Sequence, residues 1–528
     1  QLESAKASTR RKTLEALATT SNAAAALSSP ILSDGVYKYA VQFDSQSVTG
    51  KLEAYPLNAQ GIFASAPVWE AGRKLKDRAA LDHGATREII TNNGALGTAF
   101  RWSNLSTQWI TQLTTESTNR LPLLHAQSTV NYLRGDQRDE GPMGLRSRGD
   151  NLLGPIVNST PWVQQRPSAN WGNVTGYSEF YSRHSQRTRL LWQGANDGML
   201  HAFHPKTGDE VMAYVPGALA NRLAEIPLQR STVTRLNGQY FVQGTEVRPA
   251  GSIWAYVDGN PFTADVKVGD NWATYVFGSL GRGGRGVFAL DATDIQQLHE
   301  SNAANVFRWQ FTAADDADLG YQVSDVKLHT ASNQAAPIVR LNNGKFAWIL
   351  GNGPLSRSGK AALFILYMDG PGIDGNWTGR YQKIVVDAGS GNGLSTPRWE
   401  DLDGDGTADV VYAGDLKGNV WKFDIRNSDP AQWAPAFSGE ATAQQAAVPL
   451  FTARLSEGSR SVAQPITTAP EVVYMGMGGL LINVGTGNGF LQGDFGATTA
   501  RHSVYGVWDR GAPLPNPKLL VRTYNRLA

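Results

Sequence analysis

Apolar and polar residues alternate along this chain in short bursts separated by glycine. Five stretches share one order: an apolar strand, a Gly-rich turn and a second apolar strand. They are LLWQGANDGMLHAF (190–203), YVFGSLGRGGRGVFAL (275–290), AWILGNG followed by AALFIL (347–366), VVYAGDLKGNVWKF (410–423), and LLINVGTGNG followed by HSVYGVW (480–508). An earlier cousin is YAVQFDSQSVTGKLEAYPL (39–57). In Asn419-Val420-Trp421-Lys422-Phe423 the alternation has the two-residue period of a pleated strand. Gly194, Gly278, Gly351, Gly414 and Gly485 occupy matching places, 63 to 84 residues apart. Glycine at the turns is expected because tight hairpins demand positive φ. One hairpin cannot bury both its faces, so repeated hairpins stack radially around an axis. The pattern therefore predicts an all-β chain: a β-propeller whose repeats exceed the usual ~40–45 residues through long loop insertions. Six units can be counted, and irregular sequence leaves room for a seventh.

Two regions depart from this rhythm. Residues 4–27, rich in Ala and Leu, read as a short N-terminal helix, so residues 1–34 are expected to be a helical arm or linker. Glu15, Thr19, Thr20, Ser21 and Asn22 interrupt the apolar run too often for a signal peptide. The propeller is expected over 35–528. Residues 115–189 are polar, with Pro122, Pro142, Pro155, Pro161 and Pro167, and read as long loops or an insertion; 427–447 reads as a second loop. The longest apolar run, Ala361 to Met368, is too short to span a bilayer.

Composition narrows the chemistry. Among 528 residues there are 56 Gly and 15 Trp but no Cys, which removes disulfides, thiolate metal sites and cysteine nucleophiles. With 48 basic and 46 acidic residues the net charge is +2, too little to draw the chain onto nucleic acid. Trp192, Trp254, Trp272, Trp348 and Trp421 fall on or beside expected strands and read as packing residues.

One motif carries strong chemistry. Residues 401–409 run Asp401-Leu402-Asp403-Gly404-Asp405-Gly406-Thr407-Ala408-Asp409. Carboxylates at positions 1, 3 and 5 converge when such a loop curls. Gly406 permits the sharp turn, Thr407 can offer its carbonyl, and Asp409 adds a direct or water-bridged carboxylate. All-oxygen ligation of this kind suits Ca²⁺ better than Mg²⁺, which demands stricter geometry. The twelfth position is Tyr412 rather than Glu, and strand rather than helix follows, so the loop is a Ca²⁺ loop on a β-scaffold.

The same stretch, RWEDLDGDGTADVVYAGDLKGNVWKFDI (398–425), resembles the signature of the PilY/PilC family of type IV pilus tip-associated proteins. LRSRGDNLLGPIVNSTPWV (145–163) also resembles that family, although Pro155 stands where an Asp is common. ANDGMLHAFHPKTGDEVMAYVP (195–216), VFGSLGRGGRGVFALDATD (276–294), DLGY (318–321), GNG (351–353) and GLSTP (393–397) follow in the same order. The resemblance implies a modified seven-bladed propeller with its calcium-binding blade at 398–427. It would be the carboxy-terminal half of a larger secreted protein, on the pilus, the outer membrane or the cell surface. It further implies a part in pilus assembly, in the balance of extension and retraction, and in adhesion, surface sensing, twitching motility and virulence. Asp401, Asp403, Asp405 and Asp409 would be side-chain ligands of Ca²⁺, with Thr407 giving its carbonyl. Expected partners are minor pilins or the pilus tip. A host integrin is a further candidate, through Arg134-Gly135-Asp136 or Arg148-Gly149-Asp150.

Rival readings are weaker. A quinoprotein dehydrogenase is also a Gly-rich, Ca²⁺-bearing propeller, and GTGNG (485–489) resembles its turns, but its Ca²⁺ belongs in a central pocket. His204 and Met212 stand where its docking repeat has Asp and Trp. A hydrolase would need a histidine-centred site. His201 and His204 are close in sequence, yet three residues apart on a strand they face opposite ways. No catalytic set can be nominated. A generic secreted propeller adhesin braced by Ca²⁺ is the remaining alternative.

Overall fold

The computed structural model describes residues 20–27, 37–44, 47–115, 123–141, 144–227, 235–236, 239–240, 255–323, 326–329, 332–438, 447–457, 460–476, 478–490, 494, 501–511 and 522–524. Among them are six sheets of four or more strands, following one another along the chain. The first holds Thr20–Leu27, Tyr37–Asp44, Thr49–Pro56 and Trp69–Glu70. The second runs, from edge to edge, Leu96–Ala99, Ile89–Asn93, Glu210–Tyr214, Met199–Phe203, Leu190–Ala195 and Trp162–Gln164. Its Ile89–Asn93 strand lies parallel to Glu210–Tyr214, an addition to an otherwise antiparallel meander. The third is Phe262–Val268, Asn271–Ser279, Gly286–Asp291 and Phe307–Thr312; the fourth is Ile338–Arg340, Phe346–Gly351, Ala361–Tyr367 and Tyr381–Asp387. The fifth is Arg398–Glu400, Val410–Gly414, Asn419–Asp424 and Ala434–Pro435, with Phe451–Thr452 also on Asn419–Asp424. The sixth is Glu471–Tyr474, Leu480–Gly485, His502–Asp509 and Arg522–Tyr524. All six glycine-punctuated units are thus hairpins, one in each sheet. The expected seventh blade is not found among the described residues.

The cores lie between consecutive sheets. Every residue of Ala361–Tyr367 is buried, but alternate side chains go opposite ways. Ala362, Phe364 and Leu366 join Phe277, Trp309 and Phe311 of the third sheet, whereas Leu363 and Ile365 join Val411, Trp421 and Phe423 of the fifth. In Val410–Gly414, Val411 and Ala413 face the fourth sheet, while Val410 and Tyr412 meet Ile482, Val484 and Tyr505 of the sixth. Period-two side chains that are apolar on both faces are what a strand inside a stack of sheets requires. The first sheet meets the second through Val41, Leu52, Leu191 and Phe203. The second meets the third through Trp192, Met212, Val276 and Phe288. Trp192, Trp348 and Trp421 are buried in these layers and Trp272 is half-buried; Trp254 lies outside the described residues.

The matching glycines are not the turn residues. Gly194, Gly278, Gly351, Gly414 and Gly485 end strands and are absent from the positive-φ positions; Gly198 (φ 91°) and Gly418 (φ 83°) make the turns instead. A methyl on Gly351 would meet the backbone oxygens of Ser395 and Leu394 at 2.0 and 2.4 Å, and one on Gly414 would meet Ile466 at 2.2 Å. Both neighbours belong to the segment leading into the following sheet, so the glycines allow one blade to lie close against the next.

Two sequence expectations need correction. The helix expected over 4–27 is a strand at Thr20–Leu27, paired antiparallel with Tyr37–Asp44; residues 1–19 and 28–36 lie outside the described residues. A sheet edge offers hydrogen-bond partners that outweigh the modest helix preference of alanine. The 115–189 stretch is more ordered than loops. It holds the helices Leu123–Arg134 and Tyr177–His184 and the strand Trp162–Gln164. Ala126, Val130 and Leu133 form a one-sided apolar stripe that buries the first helix against the second sheet. No helix among the described residues is long and apolar enough to cross a membrane.

Candidate metal centre

Residues 401–409 link two neighbouring strands of the fifth sheet, Arg398–Glu400 and Val410–Gly414, whose register pairs Glu400 with Val410. The Asp409 N–H donates to the Glu400 carbonyl at 3.0 Å and closes the base of the loop. Gly404 and Gly406, at φ 83° and 84°, curl it; a side chain would be strained at either position. The Asp401 carboxylate accepts the Gly404 N–H on Oδ1 (2.7 Å) and the Gly406 N–H on Oδ2 (2.8 Å). Asp403 Oδ1 accepts the Asp405 N–H, and Asp405 Oδ1 accepts the Thr407 N–H at 2.7 Å. These bonds turn three acidic side chains inward. Asp401, Asp403 and Asp405 each bring a carboxylate oxygen within 4.8 Å of the others, a group that can hold a metal ion. Each carboxylate keeps lone pairs beyond those used, and hard oxygen donors of this kind suit a divalent cation such as Ca²⁺.

The other two expected ligands sit deeper. Asp409 is buried and lies outside that group; its Oδ2 accepts the Leu402 N–H at 2.7 Å. Burial, with Asp403 and Asp401 adding negative charge nearby, holds its carboxyl above the ordinary range. The Thr407 hydroxyl lies 2.6 Å from Asp405 Oδ1 and 3.0 Å from Asn342 Oδ1. Asn342 also donates to the Ala408 carbonyl at 2.9 Å, and the Ala408 N–H donates to the Arg340 carbonyl at 2.9 Å. The fourth sheet thereby holds the loop from one side. From the other, the Tyr474 hydroxyl donates to the Asp401 carbonyl at 2.6 Å. Asn342 and Tyr474 are distant in sequence, and no motif announced them.

A second feature escaped the sequence reading. Pro161, Pro261, Pro337, Pro397 and Pro470 each stand immediately before an edge strand, one in each of sheets two to six. Proline has no N–H for a ladder, and it holds the preceding residue extended, so it suits the start of an edge strand. The recurring proline was the available signal. The segments it marks rim a cavity of about 740 Å³, lined among others by Asn260, Pro337, Arg398, Thr468, Glu471 and Phe490. None of residues 401–409 lines it, whereas a quinoprotein reading needs the Ca²⁺ there.

Neither Arg-Gly-Asp tripeptide offers its arginine to a receptor. Arg134 is buried, donating to the carbonyls of Phe100, Gly84 and Arg87 and pairing with Glu300 at 2.7 Å. Arg148 is buried 3.6 Å from the Tyr132 ring and pairs with Glu140 at 2.6 Å. The integrin expectation is corrected accordingly: both guanidinium groups hold the fold together.

His201 and His204 form no joint site. His201 is fully buried, with Nδ1 2.8 Å from Glu210 and Nε2 3.2 Å from Asp197. Arg87 pairs with the same Glu210 at 2.7 Å. Burial alone would depress the imidazole, but the two carboxylates outweigh it and push it up to about 9. This is a closed charge network inside the second sheet. Among the described residues the aspartate triad is the one group of three or more acidic or histidine side chains close enough to share a metal.

Comparison with known proteins agrees with the architecture. The profile of the PilY1 β-propeller domain matches residues 153–513. The type IV pilus biogenesis factor PilY1 of Pseudomonas aeruginosa PAO1 is 33% identical over 478 residues, 86% of this chain and 36% of that protein. A PilY1 homologue from Xylella fastidiosa is 33% identical over 411 residues, 73% of this chain and 24% of its own length. The crystal structure of the P. aeruginosa PilY1 C-terminal domain is 33% identical, covers 64% of this chain and 60% of that one, and superposes with a TM-score of 0.47. The chain spans about a third of the length of the curated relatives it matches.

Proposed function

Since this chain belongs to the PilY1 β-propeller family, we propose that it is the propeller portion of a type IV pilus biogenesis factor, holding one Ca²⁺ in the 401–409 loop. It works outside the cytoplasm, at the pilus or the cell surface, and acts by engaging pilus proteins, minor pilins first, rather than by catalysis. Through them it supports pilus assembly, tunes extension against retraction and contributes to adhesion and surface sensing. The seventh blade belongs to this proposal as well.

The observation that carries the metal reading is the convergence of Asp401, Asp403 and Asp405 on a hairpin curled by two positive-φ glycines. Three carboxylates this close repel one another, and a divalent cation removes that cost. Ca²⁺ supplies charge neutralisation and a common centre; the chain's own part is to aim the oxygens and anchor the loop. Asp409, held by the Leu402 N–H, braces the base or reaches the ion through water. The pilus reading is supported by the names of the curated relatives and by the absence of the acidic loop from the central cavity.

Calorimetric titration of Ca²⁺ into the chain tests the ion, and pulldown with minor pilins, with and without chelator, tests its role. Binding heat is expected in the wild type and not in Asp401→Ala. Pilin capture that ignores the chelator would confine Ca²⁺ to a structural role, and no heat at all would remove the ion from the proposal.

A further inference from the structure

The acidic loop and the central cavity are separate sites, but two short strands join them. Arg398–Glu400 begins at the cavity with Arg398 and ends beside Asp401. Glu471–Tyr474 begins at the cavity with Glu471 and ends with Tyr474, whose hydroxyl donates to the Asp401 carbonyl. Strands of three and four residues span roughly 10–13 Å at about 3.3 Å per residue, so the link is short and stiff. The two strands differ in how firmly they are held. Trp399 is buried, donates its Nε1–H to the Ala336 carbonyl at 2.8 Å and stacks on His329 at 3.8 Å. Glu471–Tyr474 pairs with Leu480–Gly485 at the edge of its sheet, and Glu471, Val473 and Tyr474 are exposed. At this end Tyr474 ties it to the fifth sheet, through the bond to the Asp401 carbonyl and a second side-chain hydrogen bond with Glu400. At its other end Glu471 pairs with Lys327, another residue of the cavity wall.

We infer that metal occupancy of the 401–409 loop is transmitted through Tyr474 to the rim of the central cavity. With the cation in place the three carboxylates draw together, and the Asp401 carbonyl stays where Tyr474 can reach it. Without it, repulsion among Asp401, Asp403 and Asp405 opens the loop and the bond is lost. With that hold weakened, the Glu471–Tyr474 strand shifts on its Leu480–Gly485 neighbour. Thr468, Pro470 and Glu471 move with it, which changes the width of the cavity and the place of the Lys327–Glu471 pair on its wall. Arg398–Glu400, fixed by Trp399, stays as the pivot. A loop that binds an ion away from the cavity thereby acquires control over a concave surface large enough, at about 740 Å³, for a small ligand or the end of a peptide.

This inference rests on the Ca²⁺ reading of the loop, and the two fail separately. The chain has no cysteine, so one introduced thiol reports on one position. Thr468 is exposed within the cavity lining, and Thr468→Cys places the thiol on the strand's lead-in segment. Its modification rate by a neutral maleimide is measured with Ca²⁺ and with chelator, alongside calorimetry of the same protein. A several-fold faster rate in chelator is expected. Adding Tyr474→Phe should leave Ca²⁺ heat intact but make the rate insensitive to Ca²⁺. Ile373→Cys, at a 98% exposed position on another blade, should react at one rate throughout. Normal Ca²⁺ heat with a Ca²⁺-independent rate at position 468 overturns the link, as does a Ca²⁺ response that survives Tyr474→Phe or appears equally at position 373. Absence of Ca²⁺ heat overturns the metal reading, and this inference with it.

Discussion

His201 shows what a single side chain contributes here beyond its type. Its imidazole is pushed up to about 9 from the ordinary 6.5, so the folded chain holds that proton more tightly than the unfolded one. The stabilisation is complete below pH ~6.5 and is lost as pH rises through 9; it amounts to about 3 kcal/mol at most. Asp197 and Glu210 are shifted the other way, so their contribution is present above the usual carboxylate range and fades on acidification. The melting temperature is therefore expected to fall between pH 6.5 and 9, and His201→Gln should flatten that decline. An equally steep decline in the variant would show that other groups cause it. The two tripeptides yield a sharper contrast. Arg148→Ala would strand Glu140, which is itself largely shielded from water, and is expected to cost about 3–5 kcal/mol, read as a lower urea midpoint. Asp150→Ala, at an exposed position, should stay within about 0.5 kcal/mol. At this scale the sequence was legible where chemistry is local. Asp401, Asp403 and Asp405 lie within five residues, and curling alone brings them together. Arg87, Asp197, His201 and Glu210 meet only because strands far apart in sequence pair, and no spacing rule encodes that. The tripeptides misled for the same reason: three letters say nothing about where Arg134 and Arg148 point.

At the scale of elements, the hairpins were legible and their neighbours were not. A strand buried on both faces and a turn glycine are written in consecutive residues, as in Val410–Phe423. Thr20–Leu27 is a strand by virtue of Tyr37–Asp44 beside it, a fact outside its own eight residues. Leu123–Arg134 was hidden by polar residues on its solvent face. The strand-ending glycines give this scale its test. Gly351→Ala drives a methyl into the backbone of Ser395 and Leu394, which cannot step aside as a side chain tip can. It is expected to cost about 1–3 kcal/mol. Gly485→Ala meets nothing within 4 Å, and Gly485 does not need a positive φ. That variant should unfold at the wild-type urea concentration within error. Equal losses in the two variants would mean that the glycines serve their own strands and not the approach of the next blade.

For the whole molecule, the question is what holds the sheets in order. Five interfaces between consecutive sheets are apolar and continuous, and each was implied by strands that are hydrophobic on both faces. Six repeats in the sequence became six sheets because each repeat is one local hairpin plus its flanks. The acidic loop adds something that the layers do not. It is bound to Arg340 and Asn342 of the fourth sheet region, it belongs to the fifth, and it accepts Tyr474 from the sixth. A cation held there would brace three blades at one point. A ligand that binds the folded state alone stabilises it by RT ln(1 + [L]/Kd), about 2.7 kcal/mol at a hundred-fold excess over Kd. Raising Ca²⁺ to that level should therefore lift the melting temperature by a few degrees, and Asp401→Ala should abolish the rise. The indole of Trp171 lies 4.0 Å from where a methyl on Gly406 would sit, so its emission offers an independent readout of the loop. If Ca²⁺ changes that emission but leaves the melting temperature where it was, the loop orders alone and the blades stand without it. If both move together, the ion is part of what keeps the fourth, fifth and sixth sheets in register.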